Sequence, residues 1–334
     1  MNKRLKQGTT FLLALALAFP LLTLPGARAA NAIETNRKCS VAFNVSGEDN
    51  ELTADGTDII VNLYKVADVD VSGNYTATKD FTGLNVSSVS ADDKDAAASE
   101  WADRAKEAQK MLKESVEPTA TVTLAAGTGS LADLATGLYL VDTPEVVTTN
   151  YTYTFTPYLV SLPTNNYYSN GNDDWIYDLT KEYNSAVGLK PEEHARYGDL
   201  KINKTLAHHN ATTGKKATFV FKIEITPLKG KTETLIESLD FEAAGDSSVT
   251  ITKIPAGATV KVTEVYSGAS YKLISENDQE TTIVATDKDA KGDPASVSFT
   301  NDVDDNMNGG YGVKNNFKLD ENGQYQYTEP AEKN

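Results

Sequence analysis

Apolar positions recur with period two along most of this chain. Ile59-Ile60-Val61-Asn62-Leu63-Tyr64-Lys65-Val66, Gly137-Leu138-Tyr139-Leu140-Val141 and Tyr151-Thr152-Tyr153-Thr154-Phe155 read as strands rich in Val, Thr and Tyr. Phe219-Val220-Phe221-Lys222-Ile223-Glu224-Ile225 and Val297-Ser298-Phe299-Thr300 read the same way. Turn residues separate such runs at Asp55-Gly56, Ser72-Gly73-Asn74, Lys229-Gly230 and Pro255-Ala256-Gly257. One stretch breaks the pattern. Residues 91–114 are rich in Ala, Lys and Glu, with Ala98, Trp101, Ala105, Ala108 and Leu112 near helical spacing. This predicts a single helix inserted between strands and packed on a sheet.

A boundary is expected around Glu192 to Gly198, where Lys190-Pro191-Glu192-Glu193-His194-Ala195-Arg196-Tyr197-Gly198-Asp199 is polar and carries Pro and Gly. A new strand series starts at Leu200. The expected architecture is all-β, with two tandem Ig-like β-sandwich domains over 30–197 and 198–303 and a helical insertion in the first. Residues 304–334 form a polar tail.

The amino terminus changes the setting. Lys3, Arg4 and Lys6 precede an apolar run from Phe11 to Leu24, and Ala27-Arg28-Ala29 offers a small-x-small cleavage pattern. A membrane-spanning helix needs ~20 predominantly apolar residues, and this run is shorter and ends in Pro25-Gly26. Residues 1–29 therefore read as a signal peptide, and the expected location is outside the cell or on its surface. The whole chain carries 31 basic and 47 acidic residues; removing Lys3, Arg4, Lys6 and Arg28 leaves 27 basic residues and a net charge of −20. Such an acidic chain disfavours nucleic acid and anionic membranes as partners.

Ordinary catalytic chemistry finds few residues to use. His194, His208 and His209 are the only histidines, and two are adjacent, which is not metal-ligand spacing. Cys39 is the only cysteine, so no internal disulfide is available; it reads as a small buried hydrophobe in the first strand. No phosphate loop, nucleophile elbow or zinc-protease motif occurs. Enzymatic turnover, a metal and a cofactor are therefore not expected.

Three positions do form a pattern. Leu200-Lys201-Ile202-Asn203-Lys204 is an opening strand ending in a lysine. Val260-Lys261-Val262-Thr263-Glu264 is a middle strand ending in a glutamate, and Val297-Ser298-Phe299-Thr300-Asn301 is a closing strand ending in an asparagine. With Ile254-Pro255-Ala256-Gly257 ahead of Val262-Thr263-Glu264 and with Phe299-Thr300-Asn301, this region resembles the collagen-adhesin B-type domains of Gram-positive surface proteins and major pilins. The resemblance implies a self-made isopeptide bond between Lys204 and Asn301, promoted by Glu264. Burial would keep the lysine amine neutral and nucleophilic. A protonated Glu264 would donate to the asparagine carbonyl and pass a proton to the departing ammonia.

The first domain carries a second resemblance. Leu63-Tyr64-Lys65-Val66-Ala67-Asp68, Gly137-Leu138-Tyr139-Leu140-Val141, residues 155–164 and Trp175-Ile176-Tyr177-Asp178-Leu179 resemble the amino-terminal domain of sortase-assembled pilins. In that family a lysine near this place accepts the next subunit, which makes Lys190 a candidate acceptor. Proline follows this lysine rather than preceding it, and the spacing from Trp175 is longer, so Lys181 is the rival. Partners implied are sortase and other pilin or surface-protein subunits. No L-P-x-T-G-like motif follows the second domain, so a terminal or accessory subunit, a truncated product and a free secreted protein all remain open. The alternative function is a secreted, unpolymerised binding module whose loops or helix recognise a host protein or glycan.

Overall fold

The structure, a computed structural model, describes residues 22–23, 32–45, 51–54, 56–90, 94–113, 115–166, 172–180, 187–213, 216–268, 270–287, 293–304, 316–319 and 325–328. The export segment expected over 1–29 lies outside these residues except for Leu22 and Thr23, whose backbone pairs in parallel with Val89 and Ser90. The described residues are mostly strand, and the chain divides into two compact units. One comprises residues up to Thr148 together with Thr152–His194; the other comprises Thr149–Tyr151 and everything from Ala195 onward.

The first unit is built on a nine-stranded sheet. Its main path contains β1 (Cys39–Asn44), β2 (Asp58–Val69), β3 (Ala120–Ala125), β4 (Thr128–Leu134), β5 (Gly137–Asp142), β6 (Tyr158–Leu162) and β7 (Asp178–Leu179), in the order β6-β5-β2-β3-β4-β1-β7. Cys39 is buried at the start of β1, as a small hydrophobe would be. Every residue of β5 from Gly137 to Val141 is buried, and a strand covered on both faces reads as a continuous apolar run. The helix α1 (Lys94–Met111) supplies one cover. Its buried residues Ala97, Trp101, Ala105 and Ala108 share a core with Tyr64, Val66, Leu138, Leu140 and Leu159.

Two details differ from the sequence reading of this helix. Ala97 rather than Ala98 is buried, and Leu112 lies beyond the last turn. Alanines at consecutive positions give no contrast in size or polarity, so the pattern does not resolve the helix rotation between them. The core face also buries Arg104, whose guanidinium lies 4.4 Å above the Trp101 ring and pairs with Glu100.

The second unit is a sandwich of two four-stranded sheets. One has the order β11-β8-β15-β13, with β8 (Tyr197–Leu206), β11 (Gly245–Pro255), β13 (Tyr271–Leu273) and β15 (Ala295–Val303). The other has the order β10-β9-β12-β14, with β9 (Ala217–Thr226), β10 (Glu233–Phe241), β12 (Thr259–Tyr266) and β14 (Asp278–Thr282). Inner faces contribute Leu200, Ile202, Phe219, Phe221, Ile223, Val260, Val262, Val297 and Phe299 to one core. The opening and closing strands β8 and β15 are neighbours and run parallel, with Lys204 opposite Phe299 and Leu206 opposite Asn301.

The stretch read as a polar boundary is almost entirely strand: Pro191–Ala195, then β8 from Tyr197. Its polarity comes from residues such as Glu192, His194 and Asp199, whose side chains are only partly covered or exposed. Gly198 is there because the backbone passes too close for a side chain: a Cβ would lie 1.8 Å from the Val284 carbonyl oxygen. The expected turn at Pro255-Ala256-Gly257 is present, with Gly257 at φ +77, a conformation that favours glycine. In the tail, Asn316–Leu319 and Tyr325–Thr328 form an antiparallel pair.

Candidate functional site

Period-two burial in β8 turns Leu200, Ile202, Lys204 and Leu206 inward and leaves Lys201 exposed. A lysine thus occupies a core position. The same count in β12 turns Val260, Val262 and Glu264 inward, and in β15 Ala295, Val297, Phe299 and Asn301. Each strand continues two residues past its polar residue, to Leu206, Tyr266 and Val303. The three positions are therefore in the strand interiors and not at the strand ends the sequence suggested. Leu206 is itself buried, which extends the first strand into the core beyond Lys204.

The fold brings the three side chains together. Lys204, Glu264 and Asn301 are 1%, 5% and 0% exposed. The Lys204 Nζ donates to Glu264 Oε2 at 2.6 Å and to Asn301 Oδ1, and Asn301 Nδ2 donates to Glu264 Oε1 at 2.6 Å. Each group thus bonds to both others in a closed triangle. Two aromatic rings lie beside the amine: Nζ lies 4.4 Å from the Phe219 ring centroid and 5.9 Å from that of Phe221. Phe221 in turn lies 5.2 Å from Phe299, centroid to centroid.

The resemblance implies that Glu264 donates to the amide oxygen; in the structure its two oxygens face the two nitrogens instead. Donor and acceptor counts explain this. The Lys204 nitrogen donates to the amide oxygen and to one carboxylate oxygen, and a carboxylate only accepts, so its other oxygen is left for the amide N–H.

The electrostatics are those of a group removed from water. Burial holds the Lys204 amine below the ordinary lysine range, and the hydrogen bond and charge of Glu264 oppose that shift without reversing it. A hydrophobe fully buried at such a position would stabilise by about 1.5–3 kcal/mol. A buried ion pair is often no better than the apolar residues it replaces, because desolvation offsets the attraction. Stability alone is a poor reason for these three residues to be here. An amine, a carboxamide and an acid in mutual contact are, however, the parts needed for amide exchange.

The acceptor candidates fare differently. Lys190 lies between the short strands Val187–Gly188 and Pro191–Ala195. It is half-buried, with Nζ 5.8 Å from the Tyr158 ring centroid, and burial lowers its pKa. Its carbonyl accepts from Thr156 N–H at 3.1 Å, and the preceding Leu189 N–H donates to Asn44 at 2.9 Å. Lys181 lies outside the described residues. The adjacent histidines sit in the loop after β8, where His208 Nδ1 is 2.8 Å from Asp302 Oδ1. Among the described residues, no group of three or more His, Cys, Asp or Glu side chains is placed to hold a metal ion, and no helix is long and apolar enough to cross a membrane.

Two features of the second unit have no signal in the sequence reading. Arg196 is buried and grips Asp287 through two bonds, Nε to Oδ2 at 2.9 Å and Nη2 to Oδ1 at 2.7 Å. Asn277 Oδ1 accepts the backbone N–H of Glu264 at 2.9 Å. Arg196 and Asp287 are 91 residues apart and Glu264 and Asn277 are 13 apart, and a period-two pattern does not register such pairs.

A family profile described as a domain of unknown function (DUF5979) matches residues 200–304. Among curated proteins, none matches the chain by sequence. Among solved structures, the TIE protein of Bacillus anthracis is 13% identical, with 80% of this chain and 34% of that one covered and a TM-score of 0.30. The chain thus spans about a third of that protein's length. The minor pilin of Streptococcus agalactiae is also 13% identical, with 79% and 96% covered and a TM-score of 0.24. The major pilin SpaA of Corynebacterium diphtheriae, described as pointing to a modular pilus assembly stabilizing isopeptide bonds, is 10% identical, with 79% and 100% covered and a TM-score of 0.21.

Proposed function

We propose that this chain is a pilin-like structural subunit or surface adhesin of a Gram-positive bacterium, acting outside the cell. Its second domain is closed by a self-made bond between Lys204 and Asn301. The observation that carries this reading is the closed Lys204–Glu264–Asn301 triangle inside an apolar core, beside the Phe219 ring.

In the reaction, the neutral Lys204 amine attacks Cγ of Asn301. The new Nζ–Cγ bond forms, the Cγ–Nδ2 bond breaks, and Nδ2 leaves as ammonia. Glu264 takes the proton that Nζ loses through Oε2 and returns a proton to Nδ2 through Oε1, so it ends as it began. The lowered pKa of Lys204 supports the neutral amine this step requires. No cofactor or metal enters the balance. The step occurs once per molecule and is maturation rather than turnover. Peptide mapping tests it directly: digestion should release a branched peptide joining the segments around Lys204 and Asn301. Recovery of both segments only as separate linear peptides would overturn the crosslink.

In the first domain, Lys190 is the proposed acceptor through which sortase joins the chain to other pilin or surface-protein subunits, with Lys181 the alternative. The half-buried setting of Lys190 supports this, because partial loss of solvent makes its amine easier to deprotonate. Covalent ladders containing this chain are expected on producing cells and should disappear in Lys190→Ala. Ladders unchanged in Lys190→Ala would exclude Lys190 as the acceptor and move the assignment to Lys181.

A further inference from the structure

The carboxylate of Glu264 must reach two nitrogens at once, and its strand is irregular just where it does so. In the β9–β12 pairing, Phe221 faces Glu264 while its neighbour Val220 faces Tyr266. One extra residue, Val265, is therefore accommodated in a bulge beside Glu264. Bulges bend a strand and re-aim the side chains next to them. On its other edge β12 also loses its partner here, because the ladder with β14 ends at the pair Thr263–Asp278. The N–H of Glu264 points to that side, with no strand beyond Asp278 to receive it.

A side chain receives it. Asn277, the residue before β14, accepts the Glu264 N–H through Oδ1 at 2.9 Å. The segment containing Asn277 also holds the strand of the attacked amide. Ile274 N–H donates to the Thr300 carbonyl at 2.9 Å, and Thr300 N–H donates to Ser275 Oγ at 3.1 Å. Gln279 brackets Ser298, donating from Nε2 to its carbonyl and accepting its N–H at Oε1 at 3.0 Å. Residues 274–279 thus tie the strand carrying the acid to the strand carrying the amide, across the two sheets of the sandwich. Asn277 is the tie on the acid side.

We infer that Asn277 is a positioning residue for the amide exchange: by taking the place of the missing ladder partner, it fixes the backbone of Glu264 so that the carboxylate reaches both Nζ of Lys204 and Nδ2 of Asn301. This rests on the proposed crosslink. Asn277 touches no reacting atom and is exposed, so replacing it leaves the core intact. Misplacement of a catalytic group by about 1 Å can cost about 100-fold in rate, and a loss of that order is expected when the tie is cut.

The test follows the full chain after a short pulse of synthesis, reading by intact mass the fraction that has lost one ammonia. Asn277→Ala should crosslink about 100-fold more slowly than the unaltered chain. Asn277→Asp keeps an oxygen acceptor at the same place and should restore most of the rate. A merely structural loss would not follow the acceptor in this way. Crosslinking of Asn277→Ala at the unaltered rate would overturn the inference, and so would an Asn277→Asp as slow as Asn277→Ala. An unaltered chain that never loses ammonia would instead remove the crosslink itself, and the inference with it.

Discussion

Replacement of Glu264 by glutamine should sharply slow the joining of Lys204 to Asn301 in a chain that still folds. Glutamine keeps the shape of the side chain and an oxygen for one of the two nitrogens. It has no site that can take a proton from Nζ and return one to Nδ2. General acid–base transfer by a positioned group typically contributes about 100- to 10,000-fold to a rate, so the bond should form slower by that factor. The substitution is also the cleanest separation of chemistry from packing at this site, because Glu264 Oε1 and Oε2 are both committed to the triangle. The readout is the fraction of chain lighter by one ammonia at fixed times after synthesis. Crosslinking of Glu264→Gln at the unaltered rate would show that the proton travels by another route.

The second large effect is on stability. The bond would close a loop across a separation of 97 residues. On the chain-entropy argument used for disulfides, closing about 100 residues stabilises by about 4.7 kcal/mol. Asn301→Ala would prevent the proposed bond but leave the Lys204–Glu264 contact in place, so it should cost the second domain roughly that amount. Lys204→Ala should cost more, because it also strands a buried carboxylate, and losing one partner of a buried pair costs about 3–5 kcal/mol. Both tryptophans, Trp101 and Trp175, lie in the first unit, so fluorescence does not follow the second. Pulse proteolysis across a urea series, with fragments from the second unit identified by mass, does. Equal urea midpoints for the unaltered chain and Asn301→Ala would mean that the bond contributes nothing to the fold.

Much of this architecture is legible in the order of residues. Period-two runs locate the strands around Leu63, Leu140, Phe221 and Phe299, because a half-buried strand has to alternate. The same alternation carries the site: stepping by two from Leu200 and Ile202 arrives at Lys204, from Val260 and Val262 at Glu264, and from Val297 and Phe299 at Asn301. Three polar residues on the inward phase of three strands are conspicuous, since a core position without a polar partner excludes them. What alternation leaves undetermined is where a strand stops, and Lys204 proves to have two more strand residues after it. It also does not show which way an amide turns within a triangle of donors and acceptors. Nor does it mark Asn277, whose role comes from the place where β14 runs out beside Glu264 and not from anything in its own neighbours in sequence. The rotation of α1 is lost for a simpler reason, that Ala97 and Ala98 look alike.

The central claim is that the amine of Lys204 and the amide of Asn301 become one bond without help from another molecule. Intact mass of the purified mature chain, after loss of the export segment and in the absence of any added protein, tests this most directly. The account predicts a mass lower than that of the mature sequence by one ammonia, with the ammonia deficit absent in Lys204→Ala, Asn301→Ala and Glu264→Ala. An unaltered mature chain whose mass equals that of its mature sequence would contradict it.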